Sequence, residues 1–285
     1  MEGNRVVATI CAIWRQWRLF AWLDFTWITR NLSFFLTYFI SDVTRGLSTV
    51  AATFLLAERF DGIGPWTTPQ ILFMLGYATL VRGTEDVFFG YNVAVISRRI
   101  GRGQLDHTLV QPRPIWVTLL TEGFTPFSGS TVLLPGVGLL VWAASRLSLP
   151  VSPGWLALAL VNFAASCAIV LAFSFLWGSL AFWAQRAAEE ISSSAMNVMQ
   201  QLTPFPLDGL GAGWLGGMLT IVPAGFVAWY PCRALLGIDP SPYAVGVTPL
   251  AAIAITLLTI GVFQKGMKHY GRVGSQRYLS FGHRR

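Results

Sequence analysis

Apolar and polar residues are arranged along this chain in long blocks separated by short polar or breaker-rich stretches. Over residues 1–24, Val6, Val7, Ile10, Trp14 and Trp17 recur at intervals of three or four, with Arg15, Gln16 and Arg18 between them. That period predicts an amphipathic helix. Arginines are costly at a bilayer centre, so residues 1–30 are expected to lie in the headgroup layer; the alternative is a helix packed on a bundle. A first apolar span is expected over 32–56, followed by a turn with Gly and Pro over 57–66, and a second span over 68–91. Residues 96–114 are the most polar interior stretch, and a third span follows over 116–144, kinked by Pro126 and Pro135.

After a loop over 145–154, residues 155–183 read as an almost unbroken fourth span, and 185–190 as a short polar turn. From Ile191 the pattern changes. A short fifth span over 191–203 runs into Pro204, Pro206, Gly209, Gly211, Gly213, Gly216, Gly217, Pro223 and Pro231. One straight helix cannot absorb so many breakers. The segment 204–240 is therefore expected to hold short re-entrant helices, over 214–229 and 231–236, covered by protein or lining a wet cavity. A last span over 243–263 leads into a basic tail, 264–285. The expected fold class is all-α: one polytopic membrane domain over 1–285 with six transmembrane helices, an N-terminal interfacial helix and re-entrant helices before the last span.

Composition agrees. Apolar types make up 54% of the chain and charged types 12%, about half the charged share of a soluble domain. The net charge of +7 matters through its placement. Fifteen of the twenty Lys and Arg fall before the first span, in 96–114, at Arg186 or in the tail. Positive residues are retained on the cytoplasmic side, so both termini are expected there. The basic residues flank apolar spans instead of forming a stripe, which argues against nucleic acid as a partner. No removable signal peptide is expected, and the first span is read as the insertion signal.

Little classical chemistry is on offer. The two lysines, Lys265 and Lys268, stand in no GxxxxGK[ST] loop, the three histidines are far apart, and Cys11, Cys167 and Cys232 are isolated. No metal, cofactor or catalytic residue is expected in this chain. Charges at span depth are more informative. Asp42 and Arg45 lie three apart on the first span, and Arg82, Glu85 and Asp86 lie three and four apart on the second at matching depth. A cluster facing the bundle interior is expected, with Arg45 and Arg82 neutralised by Asp42, Glu85 and Asp86. It acts either as a static clamp or as a polar lining that re-pairs as a route opens. Glu122, near the inner end of the third span, could join either, and the acidic excess would favour cationic substrates. The four-residue spacing of Gly209, Gly213 and Gly217 would permit close helix approach, though a glycine-rich segment often shows it by chance.

The polar stretch 96–114 carries Arg98, Arg99, Arg102 and Arg113. Gly101 and Gly103 break the preceding helix, and residues 104–110 can form about two turns before Pro112 and Pro114. Leu105 and Leu109 fall four apart on one face, with Asp106 and His107 pointing elsewhere. Such a helix could dock into a groove on a soluble partner; the alternative is an ordinary charge-retaining loop.

Residues 100–112 have the form IxxGxLDxxLxxP. With the interfacial helix, six spans, the broken segment PFPLDGLGAGWLGGMLTIVPAGFVAWYPCRALLG and the tail beginning KGMKHYGRVG, the chain resembles the type-2 ABC exporter permeases, in the bacterial branch without a fused ATPase. The resemblance implies a half-transporter in the plasma (bacterial inner) membrane, paired with a second permease as homodimer or heterodimer. It implies P-loop ATPase subunits that bind ATP and Mg, membrane lipid around the spans, and a small-molecule substrate the sequence does not name. The coupling helix on the ATPase would be formed by Arg102, Gly103, Gln104, Leu105, Asp106, His107 and Leu109. The first, second and fifth spans would face the partner permease and the substrate route. The competing reading is a self-sufficient channel or secondary transporter built on the charge cluster.

Overall fold

A computed structural model describes residues 2–59, 64–112, 114–208, 210–239, 241 and 243–274, with some of them, Arg45 and residues 2–10 and 91–95 included, described in backbone alone. Arg113, Gly209 and the tail beyond Gly274 therefore lie outside the described residues, as do the side chains of Val6, Val7, Ile10 and Arg45. Among the described residues the elements are helical and there are no strands.

Helix α1 (Glu2–Arg30) bends at Asn31 into α2 (Leu32–Arg59). Helix α3 (Thr68–Phe88) starts where Pro69 suits a first turn and the Gln70 side chain accepts the Thr67 N–H at 2.9 Å. It is followed by α4 (Gly90–Gly101) and the five-residue α5 (Leu105–Leu109). The expected third span is two pieces, α6 (Ile115–Thr121) and α7 (Ser130–Ala144), with residues 122–129 outside any helix.

Helix α8 (Pro153–Gly178) is capped by Ser152, whose hydroxyl accepts the Trp155 N–H at 3.2 Å, and a 3-10 turn carries it to Phe182. The chain reverses at once into α9 (Gln185–Leu202). The expected polar turn over 185–190 is thus the first part of that helix. In the breaker-rich segment, α10 (Ala212–Thr220) and α11 (Trp229–Leu235) flank a 3-10 turn at Pro223–Phe226. Its two arms, Gly213–Thr220 and Pro223–Leu235, are bent by 69°. Helix α12 (Ala244–Val273) runs through the expected last span and on into the start of the tail.

Among the described residues, two helices are able to cross a membrane by length and composition, Pro153–Phe182 and Ala244–Val273, or three if the bent pair is one span. The other long helices carry polar residues at depth, or, like α6 and α7, are broken.

Tight packing is concentrated in the antiparallel pair α3 and α7. A Cβ on Gly76, Gly83, Gly129 or Gly136 would fall under 3.0 Å from backbone of Leu140, Leu133, Asp86 or Leu80 respectively. Gly76 and Gly83 sit seven apart on α3, and Gly136 sits seven beyond Gly129, the residue that caps the start of α7, so they form one seam along which the backbones meet. Gly213 and Gly217 have nothing within 4 Å of an added Cβ, so within this chain their spacing is not a packing seam. Helices α8 and α12 pair beside this hairpin, where the Thr259 hydroxyl donates to the Ala172 carbonyl at 3.0 Å.

Two apolar cores result. One joins Trp66, Ile71, Met74, Phe173, Met199 and Trp229, where the bent segment meets α3 and α8. The other, at the basic-loop end, joins Ile100, Leu105, Leu119, Phe182, Phe263 and Tyr270.

Candidate functional site

Between α2, α3, α7 and α9 lies a cavity of about 1100 Å³. Its α2 wall supplies Asp42, its α3 wall Arg82, Glu85 and Asp86, and its α7 wall Thr131. Four of the expected charges therefore line one space. Asp86 sits one helical turn from Arg82, 3.8 Å from its Nε. Asp42 accepts a hydrogen bond from the Thr131 hydroxyl at 3.3 Å, which ties α2 to α7. Glu85 differs from its neighbours. It is 3% exposed, and neither carboxylate oxygen has a hydrogen-bond partner.

Glu122 does not join this group. The helix stops at Thr121, and the non-helical stretch turns Glu122 towards the loop end, where it pairs with Arg99.

The wall supplied by α9 corresponds to the expected fifth span over 191–203, but sequence reasoning named none of its cavity-lining residues and placed its first turns in a loop. Helix α9 buries Ala188, Ser192, Met196 and Met199 and exposes Ser193, Asn197, Gln200 and Gln201, of which the last three line the cavity. Its 18 residues extend about 27 Å, close to the thickness of a hydrocarbon core. The spacing of three and four among its small and apolar residues was the available signal.

At the loop end, a second set of charges is arranged differently. Gly103, at φ 67°, reverses the chain after α4. The Gly103 N–H donates to the Ile100 carbonyl at 3.1 Å and the Gln104 N–H to the Arg99 carbonyl at 2.9 Å, a Schellman closure that needs the left-handed residue. Gly101 stays helical, so α5 starts at Leu105. Arg99 is buried and donates to the Thr108 hydroxyl at 2.9 Å while pairing with Glu122. Tyr270 of α12 donates to Asp106 at 2.6 Å. Arg98 donates to Glu189 of α9 at 2.6 Å, and Arg102 lies 3.7 Å from the same carboxylate.

Leu105 and Leu109 do not share an outward face. Leu105 is 0% exposed in the loop-end core, whereas Leu109 is 45% and Val110 82% exposed. Four residues on a helix leave the two side chains about 40° apart, and on a five-residue helix this suffices to carry the second past the edge of the core. Gln104 and His107 are exposed with Leu109, and Arg102 borders them.

The stretch between α6 and α7 joins the two charge sets. Its Thr125 donates its N–H to the Val87 carbonyl at 2.8 Å and its hydroxyl to the Asp86 carbonyl at 3.0 Å, filling acceptors left open where α3 ends. Asp24 of α1 is buried and accepts from Phe127 N–H at 2.8 Å, Ser128 N–H at 3.0 Å and the Ser128 hydroxyl at 2.7 Å. Trp17 stacks on Phe124 with centroids 5.1 Å apart. Helix α1 is thus bound to this stretch.

Across the molecule, Asp208 accepts from the Trp66 indole, from the Trp229 indole at 2.6 Å and from Arg233, whose guanidinium lies 5.0 Å over the Trp229 ring. This clamp holds the bent segment against the α2–α3 turn. No local pattern joins its four members.

A protein-family model described as ABC-2 family transporter protein matches residues 45–274. No curated protein and no solved structure matches the chain.

Proposed function

Because the chain belongs to the ABC-2 transporter family, whose members are membrane transport components, we propose that it is one permease of an exporter, paired with a second permease and driven by separate cytoplasmic ATPase subunits seated on the basic loop. The observation that carries this reading is the build of α5: anchored on one side by Leu105, Thr108 and Asp106, it presents Leu109 and Val110 outward beside His107 and Arg102. A rigid helix with an exposed apolar tip and a basic rim suits docking on a soluble partner. ATP and Mg bind in that partner.

A push on α5 then has a defined path. Arg99 links Thr108 to Glu122, and Thr125 in the same non-helical stretch holds the end of α3 beside Asp86. Movement of the loop therefore shifts the helix whose Arg82, Glu85 and Asp86 line the cavity. ATP biases the permease by binding one state of the ATPase pair better than the other.

Pairing with another permease is supported by the cavity's exposed walls. Asn197, Gln200 and Gln201 are exposed on a helix long enough to lie at membrane depth, where lipid is a poor neighbour for amides. Phe34, Ile40 and Leu47 on α2 are exposed as well. A second copy or a related chain would cover both. Helix α1 would lie along the inner leaflet, and the loop and both termini would be cytoplasmic in a plasma membrane with six spans.

The test is to purify the tagged chain from native membranes and identify what accompanies it. A P-loop ATPase near one per permease, lost on Leu109→Asp but retained with Leu109→Ile, is the expected result. A chain that purifies alone from several mild detergents would overturn the reading in favour of a self-sufficient channel or secondary transporter.

A further inference from the structure

We propose that the cavity between α2, α3, α7 and α9 is a binding site for a lipophilic cation, an apolar body carrying one positive group that Glu85 receives. The proposal rests on the reading of the chain as a permease and adds the chemical class of what it carries.

The polar argument turns on which group lacks a partner. Arg82 makes no hydrogen bond through its buried Nε but has a counter-charge 3.8 Å away in Asp86, and Asp42 takes the Thr131 hydroxyl. Glu85 alone among the described carboxylates of the cavity is both buried and without a donor on either oxygen. A buried carboxylate without a donor is costly. What completes it is a cation or a charged N–H donor. An anion entering the same space would meet the three carboxylates of Asp42, Glu85 and Asp86 against the guanidinium of Arg82.

The apolar argument comes from the rest of the lining. Leu75, Ala78, Leu139, Trp142 and Met196 surround the carboxylates, so a bare metal ion or a small hydrophilic ammonium would leave most of the wall in contact with nothing it favours. The volume of about 1100 Å³ is at the upper end of pockets that take drug-sized molecules. On the α9 side, Asn197, Gln200 and Gln201 offer uncharged donors and acceptors to polar substituents without adding a competing charge.

The probe pair that isolates charge from shape is tetraphenylphosphonium and tetraphenylborate. Displaceable binding of each is measured on the purified full chain in detergent. The expected result is a preference for the cation of at least about tenfold, with the Glu85→Gln variant losing about tenfold or more of cation affinity. Quenching of Trp142 fluorescence by the bound cation, absent in Trp142→Phe, places it in the cavity. Equal binding of the two ions by the wild type, or a folded Glu85→Gln chain with undiminished cation affinity, overturns the proposal. Should Glu85→Gln not fold, the wild-type ion preference still decides. The two readings fail separately. Cation preference in a chain that recruits no ATPase keeps the site and removes the exporter; ATPase recruitment without ion preference does the reverse.

Discussion

Two regions of this molecule hold charge away from open solvent, and they differ in how completely each charge is satisfied. At the loop end, Arg99, Glu122, Asp106 and Asp24 each have a partner from another element: a hydroxyl, a guanidinium, a phenol and two backbone N–H groups. At the cavity, Arg82 and Asp86 stand 3.8 Å apart on the same helix and Glu85 has no donor. Cross-element pairs lock helices to one another. At the cavity the Asp42–Thr131 contact is also of this kind and ties α2 to α7, whereas the Arg82–Asp86 pair lies within α3 and Glu85 takes no part in holding the helices together. The loop end thus holds its charges in pairs between elements, and the cavity holds one carboxylate, Glu85, that no protein donor satisfies.

The sharpest way to break that comparison is to remove one partner of a locked pair. Arg99→Ala leaves Glu122 partly buried without its counter-charge, and stability in thermal or denaturant unfolding is expected to fall by about 3 kcal/mol. Leu105→Ala is expected to cost a similar or slightly smaller amount, about 2–3 kcal/mol, because the side chain is fully buried in the loop-end core. An effect within about 0.5 kcal/mol for either would mean that α5 is not anchored as described.

Gly83→Ala comes next. Its Cβ would meet the Leu133 backbone, and the expected loss is about 1–3 kcal/mol in melting, with Gly213→Ala as a neutral control. Smaller still is the Arg82–Asp86 pair. Its double-mutant cycle should give a coupling under about 1 kcal/mol, against a clearly larger one for Arg99–Glu122; a reversed order would erase the contrast between the regions. The smallest change in stability is expected for Leu109→Asp, within about 0.5 kcal/mol. The same substitution should abolish ATPase recruitment, so it separates the docking surface of α5 from its anchor.

The helices themselves were largely legible. The Ser152–Pro153 start of α8, the reversal at Gly103 and the broken segment after Pro204 each follow from residues close together in the chain. The bend within that segment, however, falls at 221–222 between α10 and the 3-10 turn, not near Pro231 as the two expected helices implied. Proline at 231 is accommodated in the first turn of α11, where its missing N–H has no partner to lose. The charges of the cavity were legible as a group because helical spacing brings Arg82, Glu85 and Asp86 onto neighbouring faces. The Arg82–Asp86 pair follows from its four-residue spacing, but the partner of Asp42 was not legible, since Thr131 reaches it from 89 residues away.

Local pattern determined the all-helical class, the apolar segments, the basic loop and the polar residues at depth, because periodicity and breakers act over a few residues. Tertiary structure alone decided that Glu122 serves the loop and not the cavity, that Leu105 faces inward, that α9 forms a polar wall, and that Asp208 gathers Trp66, Trp229 and Arg233. Each of these depends on which helices meet and at what height. That is settled by the glycine seam between α3 and α7 and by the two cores, whose contacts join residues far apart in the chain.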